Sequence, residues 1–115
     1  MRNKGFTLVE IMIVILIIGI ILAIAVPQFF KARMTSLQKV CVSNLREMEY
    51  GKELYASDQK LANGAPCTLN DLWPAYLKSI AFPNCPGGGV YTVGAIGDTP
   101  TCSLSAAPNN HTLGY

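Results

Sequence analysis

The chain has 115 residues, of which 50% are apolar and 14% charged, with a formal net charge of +2. A chain this short holds at most one small domain, and so apolar a composition excludes disorder driven by charge. The charge is also too small to make nucleic acid the expected partner, and beyond residue 61 only Asp71, Lys78 and Asp98 are charged, leaving little field to recruit an anion.

Residues 11–26 form an unbroken apolar block, and between Phe6 and Phe30 the one charge is Glu10. As a helix, residues 6–30 would be about 37 Å long, enough to cross a bilayer. Three readings compete for this segment. Arg2 and Lys4 followed by an apolar run and Ala23-Ile24-Ala25 fit a secretory signal peptide cleaved after Ala25. Against that stands Glu10, whose carboxylate costs roughly 2–3 kcal/mol toward a bilayer centre. The block also merges into a helical pattern beyond Pro27 instead of ending at a small-residue boundary. A plain membrane helix is the second reading, with an orientation left open because Lys31, Arg33 and Lys39 come after it.

The third reading rests on the string Lys4-Gly5-Phe6-Thr7-Leu8-Val9-Glu10, a long apolar run and then Pro27. This resembles the class III signal of type IV pilins and the related pseudopilins, strongly over residues 1–35 and only in architecture beyond. The resemblance implies cleavage between Gly5 and Phe6 by a prepilin peptidase and N-methylation of the new Phe6 amine. It further implies an inner-membrane precursor, an assembly platform with its ATPase, and a homo-oligomeric helical filament in which Glu10 of an incoming subunit meets the Phe6 terminus of one already assembled. Chemistry agrees with those roles. Gly5 lets an extended backbone enter a protease groove, and an unpaired carboxylate among apolar helices must find a cation or a proton. Gly19 and Pro27 weaken the helix, and Pro27 cannot donate to the Ala23 carbonyl, which predicts a broken ladder there. Family precedent implies that the stretch between them unwinds in a filament; a gentle proline kink is the alternative.

From Met34, apolar residues recur at Leu37, Cys41, Leu45, Met48 and Tyr55, the pattern of an amphipathic helix continuing to about residue 62. Lys39, Arg46, Glu47, Glu49, Lys52 and Glu53 fall on other faces and read as solvated. A straight helix over residues 6–62 would be about 85 Å long and would protrude. Asn63-Gly64-Ala65-Pro66 ends it, and Thr68-Leu69-Asn70-Asp71 reads as the capped start of a short helix carrying Trp73 and Tyr76 as packing residues. After breaks at Pro83 and residues 86–89, residues 90–93 and 101–104 are candidate strands, with residues 111–113 as a possible third.

Cys41, Cys67, Cys85 and Cys102 show no C-x-x-C, and His111 is the sole histidine, so spacing predicts no metal site. An even count outside the cytoplasm favours disulfides. Cys85 and Cys102 flank the expected hairpin, and closing that loop is worth about 3 kcal/mol. A Cys41–Cys67 bridge is geometrically tight, since nine extended residues reach about 30 Å. His111 reads as a surface polar residue, Asn110-His111-Thr112 fits a glycosylation acceptor, and the glycine run is a turn instead of a cofactor loop.

The expected molecule is α+β: a cleaved leader (1–5), a transmembrane and filament-core helix (6–30), its amphipathic continuation (31–62), and a small disulfide-stapled head (63–115) with a short helix and a small antiparallel sheet. Neither an enzymatic activity nor a cofactor is expected. The alternatives within the family are a secretion pseudopilin or a competence pilin. From a different class, the rival is a small secreted binding protein.

Overall fold

The computed structural model describes residues 4–78, 84–106 and 109–114; Arg2 and Pro83 lie outside that range. The elements are a long helix α1 (Leu8–Gln59), a single-turn helix α2 (Leu69–Leu72), and strands β1 (Tyr91–Thr92) and β2 (Thr101–Cys102). The chain divides into two units, Met1–Arg33 and Met34–Tyr115, so the later part of α1 belongs with the elements C-terminal to it.

In the first unit, α1 passes through both Gly19 and Pro27 without interruption. The helix stays continuous there even though Pro27 has no N–H to donate to the Ala23 carbonyl. Proline removes one donor, while the helix on either side keeps its own bonds. Every described residue from Lys4 to Arg33 is exposed.

The second unit has a core. Cys41, Leu45 and Met48 on α1 are fully buried, with Gly51 and Lys52 continuing the stripe. Steps of three and four put these residues on one helical face. Against them pack Cys67, Leu72, Leu77, Cys85, Val93, Ile96, Cys102 and Leu113, with Trp73 half-buried at the edge. Gly51 permits the closest approach: a Cβ there would lie 2.9 Å from Leu77 Cδ2 and 3.3 Å from the Tyr76 carbonyl oxygen.

Thr68 and Asp71 open α2 as expected. The Thr68 backbone N–H donates to Asp71 Oδ2 at 2.8 Å, and its hydroxyl reaches the same oxygen at 2.7 Å. Tyr76 stacks edge-on against Tyr55, and its hydroxyl donates to Asp58. Strands β1 and β2 pair antiparallel with Tyr91 opposite Cys102 and Thr92 opposite Thr101, a shorter ladder than expected. Residues 111–113 form no strand. The His111 N–H still bonds the Leu104 carbonyl at 3.1 Å, which ties that segment beside the end of β2.

Lys52 is the largest departure from the solvated-face reading. Only 3% exposed, it donates to the Val93 carbonyl at 2.7 Å and to the Asp98 carbonyl at 2.5 Å. Burial pushes the ammonium below the usual lysine range, opposed by Cys67, Asp98 and Glu49. The four methylenes let a charge near the core reach two carbonyls of an otherwise strandless loop.

Candidate functional site

Two places in the chain gather chemistry, one in each unit. The first is the head of α1. Thr7 precedes the helix, and its backbone N–H donates to Glu10 Oε2 at 2.9 Å while its hydroxyl reaches the same oxygen at 3.2 Å. In return the Glu10 N–H donates to Thr7 Oγ1 at 3.2 Å. This is a reciprocal capping box, satisfying helix donors that have no partner within the ladder. Its signal in the sequence is Thr7-Leu8-Val9-Glu10, the T-x-x-E pattern. Phe6 lies next to this cap and is 86% exposed. Gly5 is exposed too, with open space where a side chain would stand.

Behind the cap, α1 is long and apolar enough to cross a membrane, and none of its apolar window is buried within the chain. Such a surface needs a second apolar phase, either lipid or other helices. By length and composition the helix is suited to crossing a membrane or packing against other apolar helices.

The second place lies wholly within the second unit. Cys41 on α1, Cys85 before the glycine run, Cys102 on β2 and His111 are all buried, and their ligand atoms lie within 4.8 Å of one another. Cys85 Sγ is 3.3 Å from His111 Nδ1. His111 is 1% exposed, which corrects its reading as a surface residue. Burial raises the Cys41 thiol to about 12. Burial also raises Cys85, but backbone hydrogen bonds from Gly89 and Gly87, with contributions from Cys41 and His111, outweigh it and bring that thiol down to about 7. Cys67 stands outside this group; its thiol contacts the Thr68 carbonyl at 3.8 Å. The fold thus brings Cys85 and Cys102 together as the hairpin suggested, but adds Cys41 and His111 to them and leaves Cys67 apart. All four thiols are free.

The N-terminal site fits the comparisons with known proteins. Residues 1–26 match the prokaryotic N-terminal methylation motif. Competence protein ComGC of Bacillus subtilis (strain 168) is 49% identical over 76% of this chain and 86% of its own length. Type IV major pilin protein PilA of Myxococcus xanthus (strain DK1622) is 43% identical over 50% of this chain. Type II secretion system core protein G of Aeromonas hydrophila is 33% identical over 71% of this chain. The chain spans 26% of that pilin's length and 55% of that secretion protein's. No solved structure gives a significant match. The chain belongs to the type IV pilin and pseudopilin family.

Proposed function

We propose that this protein is the structural subunit of a type IV pilus-like filament, matured between Gly5 and Phe6 by a prepilin peptidase and methylated on the Phe6 amine. The observation that supports it best is the exposed apolar part of α1, headed by Phe6 and a capped Glu10. Before assembly the helix sits in the membrane; afterwards its apolar surface is buried against copies of itself. Removal of Arg2 and Lys4 leaves side-chain charges of equal number and opposite sign, with a new ammonium one helical turn before Glu10. In a monomer Glu10 is satisfied by Thr7; in a filament it exchanges those donors for the ammonium of a neighbouring subunit. A slipped subunit would leave both charges among apolar side chains, so the pair selects register. The stretch from Gly19 to Pro27, helical in the free chain, is where an assembled subunit would lengthen by unwinding. A membrane platform and an assembly ATPase complete the set of partners.

A competence filament is the second reading. It is favoured by one observation, the match across 86% of the length of the Bacillus competence protein.

The experiment counts filaments from cells carrying Glu10→Ala or Thr7→Ala. Glu10→Ala is expected to insert in the membrane normally and to lower filament yield by tenfold or more, roughly the 1.4 kcal/mol equivalent of a lost charge contact. Thr7→Ala, which removes the cap and keeps the carboxylate, is expected to retain most filaments. Unchanged filament number in Glu10→Ala would reject the docking role.

A further inference from the structure

We infer that Cys41, Cys85, Cys102 and His111 form a structural zinc site in the second unit. The four ligand atoms come from four separate stretches of the chain and lie within 4.8 Å of one another. A tetrahedral zinc ion with Zn–S of about 2.3 Å and Zn–N of about 2.0 Å has ligand-to-ligand edges of roughly 3.5–3.8 Å. The separation of 3.3 Å between Cys85 Sγ and His111 Nδ1 is close to such an edge.

Three further observations favour a metal over a disulfide. Three thiols converge, an odd number, so one disulfide would leave the third sulfur and the imidazole buried beside it. The fourth cysteine, Cys67, lies elsewhere, against the Thr68 carbonyl. The histidine is as buried as the thiols and aims Nδ1 at a sulfur, which a bridge between two cysteines does not require.

The loop after Cys85 is shaped to the same cluster. A Cβ on Gly87 would come within 2.9 Å of His111 Cε1, and one on Gly89 within 2.7 Å of Cys102 Sγ. A Cβ on Gly87 would also lie 3.7 Å from the Cys85 sulfur, so the glycine backbone packs directly behind that ligand, where groups that hold a metal's ligands in place stand.

Binding replaces three S–H bonds with three Zn–S bonds and releases three protons to solvent; nothing is oxidised or reduced. The ion would join α1, the glycine loop, β2 and the C-terminal segment of a unit whose core is small. This inference does not depend on the filament reading, and either can fail without the other.

The test uses the full chain, purified in detergent from cells that export it, without chelators, and reads bound zinc, free thiols and intact mass on one sample. One zinc per chain, with no disulfide by mass, is expected. Cys41→Ser, Cys85→Ser, Cys102→Ser and His111→Ala should each weaken zinc binding by roughly 100-fold or more, since even groups behind the ligands are worth 10–100-fold. Cys67→Ser should leave it unchanged. Because the ligand variants can fail to fold, wild-type protein exchanged with cobalt gives a second readout: the visible bands and thiolate charge-transfer absorption of a tetrahedral thiolate site. The proposal is overturned if metal-free chain is two hydrogens lighter through a Cys85–Cys102 disulfide. It is equally overturned by four reactive thiols that take up neither zinc nor cobalt, or by zinc lost in Cys67→Ser.

Discussion

In the first unit Ile11, Ile17 and Ile24 are 50%, 51% and 67% exposed; in the second, Leu45, Met48 and Leu72 are 0% exposed. The side chains are of the same chemical kind, and two of the second group sit on the same helix as the first. The difference lies in the cover that the rest of the chain provides. After residue 34 the apolar positions thin out to one face, and more C-terminal segments supply Leu72, Leu77, Val93 and Ile96 to cover it. Before residue 34 the apolar residues go all round the helix, and none of that apolar window is buried by the described residues. A helix of that kind finds its partners in lipid or in other copies. The two units therefore keep separate accounts of apolar burial, one settled by folding and one left open to lipid or to other helices.

This separation can be broken by mutation, and the largest effect is expected in the core. Leu45→Ala should cost about 2–5 kcal/mol of folding stability and lower the melting temperature of the second unit. Ile17→Ala should leave that melting unchanged and act on filament yield instead. Equal effects of the two on thermal unfolding would erase the distinction. Next comes Lys52→Met, which strands the carbonyls of Val93 and Asp98 and should cost about 1–3 kcal/mol by denaturant titration.

Two glycines of α1 sharpen the contrast further. Gly51→Ala places a methyl 2.9 Å from Leu77 Cδ2 and should destabilise by about 1–3 kcal/mol. Gly19→Ala meets nothing within 4 Å and should raise helix stability by about 1 kcal/mol, read as slower amide exchange around residue 19 in detergent.

The smallest effect is local. Hydrogen bonds from the Thr68 side chain and backbone hold the Asp71 carboxyl below the usual range. Its contribution is therefore fully present above the ordinary carboxylate pKa and is lost as pH falls through the lower folded value. In Thr68→Ala, the carboxyl resonance of Asp71 should titrate closer to that of an ordinary aspartate.

Much of this is readable in residue order because the relevant signals are local. The Gly5-Phe6 junction, the apolar run, the Thr68-Asp71 cap and the two strand segments each lie within a short window. The burial of Lys52 is not, because helical spacing says which residues share a face but not which loop will return to cover it. The thiol and imidazole cluster is harder still. Its members are 44, 17 and 9 positions apart along the sequence, and none has a ligand-like neighbour. Only the return of the glycine loop and of β2 onto Cys41 brings them together. Thr7 and Glu10 are the opposite case, a cap written in four consecutive residues as T-x-x-E.

The central claim is that the mature chain begins at a processed Phe6 and that its apolar helix serves assembly. It is tested most directly by the intact mass and N-terminal residue of the protein in sheared cell-surface material. The account predicts a chain starting at Phe6 and carrying one methyl group on its amine, recovered in sedimentable filaments. A soluble, monodisperse chain starting at Val26 would contradict it.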